Sequence, residues 1–115
     1  MTELSRVGLL SSLPGETLTK IAGQMEREEV PPGRRVVSEG DRGERFYVIL
    51  SGLFAVSQED LGPRRVLRPG DYFGEVALAM NVPRTASVRA LTPAVVASCD
   101  KATFDELLRP LFAED

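Results

Sequence analysis

Apolar residues recur at helical spacing near both ends of the chain. The first set is Leu18, Ile21, Ala22 and Met25, and the second set is Phe104, Leu107, Leu108 and Leu111. Within each set the spacing is i, i+3, i+4 and i+7, which places the side chains on one face of a helix. Pro14 suits a first helical turn, Asp100 is a good N-cap, and Pro110 should end or bend the second helix within a few residues. We therefore expect an N-terminal helical segment over residues 1–25 and a C-terminal helix over residues 101–112.

Between these segments, short runs of strand-forming residues alternate with turns rich in glycine, proline and aspartate. The runs predict strands at Glu26–Val30, Arg35–Ser38, Arg45–Leu50, Leu53–Ser57, Arg64–Leu67, Ala86–Leu91 and Ala94–Cys99. The run 46–50 is apolar on both faces, so its strand should be central, whereas the run 86–90 alternates and should have one solvent-facing side. The charged run 26–29 suits an edge strand. Short strands at this spacing predict a small barrel or a jelly-roll sandwich.

The composition removes several classes of function. The chain has 115 residues, 43% hydrophobic and 27% charged, with no histidine and a single cysteine. Without histidine there are no histidine metal sites, histidine general bases or Ser-His-Asp triads, and one cysteine forms neither an intrachain disulfide nor a thiolate cluster. We therefore expect one domain, residues 1–115, that is not an enzyme and holds no metal. Cys99 is expected to be a buried, unreactive thiol.

The charge and the apolar runs bear on partners and location. A net charge of −3 argues against nucleic acid or an anionic membrane as a direct partner, because such binding needs a basic face. No run reaches the ~18 apolar residues that span a bilayer, and no apolar stretch follows the first residues as in a secretory signal. With one unpaired thiol, the expected location is the cytoplasm.

The segment from Phe73 to Ala86 carries the pattern of an anion-binding site. Gly74 removes a side chain where a ligand approaches the backbone. A short helix that begins beside this glycine leaves its first N–H groups unpaired, and such an N-terminus suits a phosphate. Arg84, which follows Pro83, can bind two phosphate oxygens through its planar fork. Glu75 would repel a phosphate unless it accepts hydrogen bonds from groups such as ribose hydroxyls. Together these residues predict a pocket for a sugar phosphate.

The same segment, FGEVALAMNVPRTASV over residues 73–88, resembles the phosphate-binding cassette of cyclic nucleotide-binding domains. The glycine-punctuated run 40–52 resembles that family's central hairpin. The run 67–75 resembles its approach to the pocket, and the run 9–22 resembles its N-terminal helical segment. The resemblance therefore covers nearly the whole chain.

This resemblance implies a fold and a ligand. The fold is mainly β with flanking helices: an eight-stranded jelly-roll β-barrel, or double-stranded β-helix, with N-terminal helices and a C-terminal helix. The barrel spans residues 26–100 and its phosphate-binding cassette spans residues 73–86. The ligand is a 3′,5′-cyclic nucleotide, cAMP or cGMP, and no further cofactor is implied.

Four polar contacts of the family, and one close approach of the backbone, fall on positions of this sequence. The resemblance implies that Glu75 accepts a hydrogen bond from the ribose 2′-hydroxyl and that Arg84 pairs with the cyclic phosphate. The backbone N–H groups of Ala77 and Thr85 are implied to donate to phosphate oxygens. Gly74 is implied to lie against the ribose.

The resemblance also implies apolar neighbours for the nucleotide. Val76, Leu78 and Ala86 are expected to support or line the pocket. Two residues of the predicted strands, Val48 and Leu67, are expected as neighbours of the base. These positions would enclose the ligand without contributing charge.

Thr85 bears on the choice of base. In the resembling family this position is often Ala or Ser in cAMP-selective domains, and Thr is typical of domains that bind cGMP well. A hydroxyl there can accept a hydrogen bond from the guanine 2-amino group of a syn nucleotide, for which adenine has no counterpart. Threonine also occurs in bacterial cAMP binders, so both nucleotides remain expected ligands.

The function implied by the resemblance is that of a regulatory, ligand-sensing module. Nucleotide binding would be relayed through the C-terminal helix, from Lys101 to Leu111, to an attached effector domain or protein that this chain does not contain. The alternative is a degenerate barrel that serves as an interaction or dimerisation domain without a ligand. The presence of both Glu75 and Arg84 argues against that alternative.

Overall fold

The computed structural model describes residues 15–42, 44–58, 62–74, 78 and 83–108. Within these residues the elements are α1 (Gly15–Gln24), β1 (Glu26–Val30), β2 (Arg35–Val37), β3 (Arg45–Ser51), β4 (Phe54–Gln58), β5 (Gly62–Leu67), β6 (Tyr72–Phe73), β7 (Ser87–Ala90), β8 (Ala94–Asp100) and α2 (Lys101–Thr103), which continues as a π-helical segment (Phe104–Leu108).

In the described part of the chain, the strands form two four-stranded antiparallel sheets. The first sheet has the order β1-β8-β3-β6, and the second has the order β2-β7-β4-β5. Neighbours in each sheet are mostly distant in sequence, as in a jelly roll, where the chain crosses repeatedly from one sheet to the other. The predicted mainly β, jelly-roll fold with flanking helices is confirmed.

The strand bounds agree with the sequence pattern to within two residues, with one omission. The strand β6, Tyr72–Phe73, was not predicted. It has only two residues, between the turn at Gly70 and the positive φ of Gly74, which is too short for a period-2 pattern to register. It pairs with β3, where Tyr47 lies opposite Phe73 and their rings stack at 4.8 Å between centroids.

The central position of β3 explains why it is apolar on both faces. It lies between β8 and β6, and its side chains alternate between two clusters. The helix-side cluster consists of Ile21, Phe46, Val48, Leu78, Cys99, Phe104 and Leu108. The inter-sheet cluster consists of Val30, Ile49, Phe54, Leu67, Phe73, Val88, Ala90, Ala94 and Val96. One strand therefore joins the packing of the terminal helical segments to the interior of the barrel.

Two other strands have the solvent-facing sides that the sequence predicted. In β7, Val88 and Ala90 are buried while Arg89 between them is exposed. The residues 26–29 of β1 are all exposed, and this strand lies at the edge of its sheet. Arg45 pairs with Glu26 there. The polar residues of both strands thus face water, and the apolar ones face the core.

The C-terminal segment begins where predicted but is not α-helical throughout. Asp100 caps α2, because its Oδ1 accepts a hydrogen bond from the Thr103 N–H at 2.8 Å, and this bond holds the pKa of Asp100 below its usual value. From Phe104 to Leu108 the backbone is π-helical. Both of these residues are fully buried, and their four-residue separation suits either helix type, so the sequence pattern cannot distinguish them. The predicted residues 109–112, and residues 1–14 at the other end, lie outside the described residues.

Cys99 is fully buried in the helix-side cluster. Burial, and secondarily the charge of Asp100, raises the pKa of its thiol from 9.0 to about 11. We expect a thiol reagent to leave Cys99 unmodified in the folded chain at neutral pH and to modify it after denaturation. Because the folded pKa is the higher one, the thiol's contribution to stability is present below pH 9 and is lost as the pH rises towards 11. Urea unfolding between pH 9 and about pH 11 should show a free energy of unfolding that falls as the pH rises, and that falls less in Cys99→Ala. Rapid labelling of the native protein by the thiol reagent would contradict the prediction that Cys99 is unreactive.

Candidate functional site

An open cleft lies against the inner side of the second sheet, next to the end of β6. The cleft is open to solvent, and its cavity volume is about 140 Å³. It is lined by Val37, Val56, Arg65, Leu67, Tyr72, Phe73, Gly74, Arg84, Thr85, Ala86 and Val88. The wall combines apolar side chains with the polar groups of Arg65, Tyr72, Arg84 and Thr85, and none of these lining residues in the described part of the chain is acidic. The cleft therefore suits a ligand that has both an apolar surface and a negative charge.

Arg84 is buried in the wall of this cleft, with only 7% of its surface exposed. Its Nη2 donates to the carbonyl oxygen of Arg45 at 2.8 Å, and its Nη1 donates to the carbonyl oxygen of Gly74 at 3.2 Å. These two bonds, to β3 and to the residue after β6, fix the plane of the guanidinium. A guanidinium oriented in this way presents donors at fixed positions, as recognition of a phosphate requires.

The backbone of Arg84 is fixed as firmly as its side chain. Its N–H donates to the carbonyl oxygen of Asp41 at 2.7 Å, and its carbonyl oxygen accepts from the Gly40 N–H at 2.8 Å. Pro83 forms a β-bridge with Arg42 beside them. The loop between β2 and β3 thus holds the Arg84 main chain, so the position of the guanidinium depends on residues more than forty positions earlier in the sequence.

Gly74 is required by the same arrangement. Its φ is +97°, a conformation that residues with a side chain rarely adopt. An added Cβ would lie 2.7 Å from Arg84 Nη1 and 2.9 Å from the Arg45 carbonyl oxygen. The sequence predicted a glycine that admits a ligand. The geometry gives a further reason, since the space beside Gly74 is occupied by the arginine that lines the cleft.

Thr85 and Ala86 also line the cleft, as predicted for pocket residues. Thr85 is exposed, and its carbonyl oxygen accepts a hydrogen bond from Gln58 Nε2 at 2.9 Å. This contact ties the cassette to the end of β4. Sequence analysis missed Gln58, because a single polar residue at a strand end carries no local pattern.

The apolar predictions divide into two groups. Leu67 lines the cleft. Leu78 is fully buried in the helix-side cluster, so it supports the cassette from behind rather than lining the cleft. Val48 is fully buried in that same cluster and does not line the cleft, so its place beside the base stays a prediction. Glu75, Val76 and Ala77 lie outside the described residues.

Arg65 is the second cationic residue of the cleft. It is exposed, lies two residues before Leu67 on β5, and shares its inward face. The sequence predicts a hairpin rim for Arg64 and Arg65, with a modest positive potential near the pocket mouth, shared with Arg68, as the alternative. The alternation of β5 was the signal that could have placed Arg65 in the cleft.

The charge of Arg84 also affects Tyr47. Burial raises the pKa of the Tyr47 phenol, and the positive charges of Arg84 and Arg45 oppose that rise.

The model of the family described as "Cyclic nucleotide-binding domain" matches residues 27–110. This match covers well over half of the sequence, and it includes every described residue of the cleft. The chain belongs to the cyclic nucleotide-binding domain family.

Among known proteins, the chain is similar to fungal cAMP-dependent protein kinase regulatory subunits. It is 44% identical over 108 residues to that of Eremothecium gossypii, covering 94% of this chain and 24% of the relative. It is 43% identical over 107 residues to that of Debaryomyces hansenii, covering 93% of this chain and 24% of the relative. The chain thus spans about a quarter of the length of these relatives.

Solved structures with the same fold differ in what they bind. The regulatory domain of Toxoplasma gondii protein kinase A, solved with cAMP, has a TM-score of 0.88 and 28% identity, covering 96% of this chain and 44% of that one. The regulatory subunit of a cAMP-independent protein kinase A from Trypanosoma cruzi, solved with guanosine, has a TM-score of 0.87 and 27% identity, covering 96% of this chain and 40% of that one.

In the described part of this chain, no helix has the length and apolar character needed to cross a membrane.

Proposed function

We propose that the chain is a regulatory module that binds a 3′,5′-cyclic nucleotide in the cleft lined by Arg84. The observation that carries the proposal is the guanidinium of Arg84, which is buried in the wall of the cleft and held in one orientation by hydrogen bonds to the carbonyl oxygens of Gly74 and Arg45. A guanidinium held in a fixed orientation at an open cleft presents its donors at fixed positions, and this favours an anionic ligand such as a phosphate. The apolar side chains Val56 and Leu67 suit the base.

The individual roles follow from the family's site. Arg84 pairs with the cyclic phosphate, and the N–H groups of Ala77 and Thr85 donate to its oxygens. Glu75 accepts from the ribose 2′-hydroxyl, and Gly74 lies against the ribose. In the same proposal Val76 and Ala86 border the pocket, the whole chain 1–115 acts as one domain, and no metal or second cofactor takes part.

The helix-side cluster provides a path for the signal. Leu78 of the cassette packs in one cluster with Phe104 and Leu108 of the C-terminal segment. Glu106 of that segment also pairs with Lys20 of α1 at 3.5 Å. A ligand that changes the position of the cassette changes the packing of Leu78, and it thereby favours one position of the C-terminal segment. The ligand shifts this equilibrium only as far as its affinities for the two positions differ.

The output of the module lies outside this chain. The named relatives are protein kinase regulatory subunits, so we propose that the effector is a protein kinase and that this chain itself catalyses no reaction. A cytoplasmic location stays a prediction.

Calorimetric titration of the purified chain tests the ligand. We expect cAMP, cGMP or both to bind with one site per chain. We expect 5′-AMP to bind far more weakly, because its phosphate does not close a ring with the ribose. Guanosine is the ligand of one structural relative. The difference between the affinities of cGMP and guanosine measures the contribution of the cyclic phosphate to binding. If guanosine binds as tightly as cGMP, the site is a nucleoside site. If none of the four binds, the degenerate barrel is the better description.

Thr85 is expected to set the preference between the two cyclic nucleotides. Thr85→Ala removes the hydroxyl that would accept from the guanine 2-amino group, so cGMP affinity should fall about threefold to tenfold, the value of one net hydrogen bond. The affinity for cAMP should change little. Thr85→Ser keeps the hydroxyl and serves as the matched control. Equal losses for both nucleotides in Thr85→Ala would contradict a role in base selection.

A further inference from the structure

The exposed large apolar residues of the described chain lie together on the outer side of the second sheet. They are Leu53, Val66 and Leu91, which are 36%, 44% and 44% exposed. Leu53 and Leu91 are direct neighbours, because the Leu91 N–H donates to the Leu53 carbonyl oxygen at 2.8 Å. Scattered apolar residues are ordinary on protein surfaces, whereas a contiguous group marks an interaction site.

The strand register extends this group into a continuous row. Arg35 lies opposite Arg89, Arg89 lies opposite Ala55, and Ala55 lies opposite Val66. Because alternate residues point to opposite sides of a sheet, all four share the side that faces away from the cleft. We call this surface the outer face, defined by Arg35, Leu53, Ala55, Val66, Arg89 and Leu91.

The two arginines give the outer face a positive charge that no described acidic residue neutralises through an ion pair. Like charges directly opposite each other destabilise a sheet, yet Arg35 and Arg89 are such a pair and both are exposed. Among the described residues, neither forms an ion pair with a carboxylate, and the outer face has no acidic residue. The chain as a whole carries a net charge of −3, and several of its acids lie on β1 of the other sheet.

We propose that the outer face docks a polypeptide segment of another protein or domain, in which carboxylate side chains meet Arg35 and Arg89 and apolar side chains cover Leu53, Val66 and Leu91. The carboxylates would relieve the repulsion between the arginines. A second copy of this chain fits less well, because a symmetric pairing would bring four guanidinium groups and no carboxylate into one interface. An anionic membrane fits less well because the chain repels it through its net negative charge.

This surface is separate from the nucleotide site. The sheet's inner side chains Val56, Leu67 and Val88 line the cleft, so the sheet lies between the two. The docking proposal therefore stands whether or not a nucleotide binds, and urea unfolding serves as the check on folding in the variants.

Selection from a random peptide library tests the proposal. The library is displayed on phage and selected on the intact 115-residue chain, with counter-selection on the double variant Arg35→Glu/Arg89→Glu. We expect the enriched peptides to combine acidic and apolar residues. A synthetic peptide of the enriched sequence should bind at least about tenfold more weakly to the double variant and to Val66→Ser/Leu91→Ser. Arg27→Glu, which changes an exposed arginine on β1 of the other sheet, is the matched control and should bind normally.

Several results would overturn the proposal. Enrichment of neutral or basic peptides, or none over the counter-selected background, would exclude an acidic partner. Sedimentation with phosphatidylserine vesicles that is lost in the double variant would assign the face to membranes. Self-association in ultracentrifugation that is lost in Val66→Ser/Leu91→Ser would assign it to a second copy.

Discussion

Arg84→Ala is expected to weaken cyclic nucleotide binding by roughly 10²- to 10⁴-fold. The guanidinium would make two charge-assisted hydrogen bonds to the phosphate, and each such bond contributes about 1.5–3 kcal/mol. The loss should be similar for cAMP and cGMP, because both carry the same phosphate. Calorimetric titration of both nucleotides measures it directly.

The same substitution has a structural cost that must be separated from the loss of the ligand contact. Truncation at Arg84 removes the donors to the carbonyl oxygens of Gly74 and Arg45, so some loss of stability is expected. Arg84→Lys keeps the charge but loses the planar fork, and it should bind better than the alanine variant and worse than the native chain. Arg65→Ala removes an exposed cation from the same cleft and should cost less than about tenfold. Equal losses in Arg65→Ala and Arg84→Ala would mean that the cleft acts through its general charge and not through a phosphate fork.

The sequence predicted most of the fold because its patterns are local. The two-faced apolar run of β3, the alternation of β7 and the cap at Asp100 are each visible within a few residues. The features that the sequence did not predict depend on contacts between residues far apart in the sequence, or lie in elements of only a few residues. The strand β6 is defined by its pairing with β3 and not by its own two residues. The π-helical turn from Phe104 to Leu108 has the same apolar spacing as an α-helix.

The site was predicted unevenly for the same reason. Arg84 and Gly74 belong to one cassette, so their association could be inferred from spacing. Their direct contact could not, because it also requires the carbonyl oxygen of Arg45 and the loop at Gly40 and Asp41. The burial of Val48 in the helix-side cluster could not be predicted, because the sequence of a strand that is apolar on both faces does not reveal which face meets the cleft. Roles for Glu75, Val76 and Ala77 stay predictions.

Gly74→Ala is expected to lower both stability and nucleotide affinity, for two distinct reasons. At a φ of +97° any side chain strains the backbone, which costs about 1–3 kcal/mol. The new Cβ would also lie 2.7 Å from Arg84 Nη1 and 2.9 Å from the Arg45 carbonyl oxygen, so the guanidinium must move. Since that guanidinium is proposed to hold the phosphate, we expect the affinity to fall by at least about tenfold, because a small misplacement weakens an oriented contact. Urea unfolding and calorimetric titration measure the two effects.

Two other glycines separate strain from displacement of the arginine. Gly33 has a φ of +86° and no atom within 4 Å of an added Cβ, so Gly33→Ala should show the strain alone, with normal nucleotide affinity. Gly52 has the same φ, and its added Cβ would lie 2.4 Å from the Ala94 Cβ. Gly52→Ala should therefore destabilise the chain more than Gly33→Ala does, and at temperatures where it stays folded it too should bind nucleotide normally. If Gly74→Ala retained full affinity while losing stability like Gly52→Ala, the position of the Arg84 guanidinium would not control binding. A loss of affinity in Gly74→Ala alone would tie nucleotide binding to the space that this glycine leaves for the arginine.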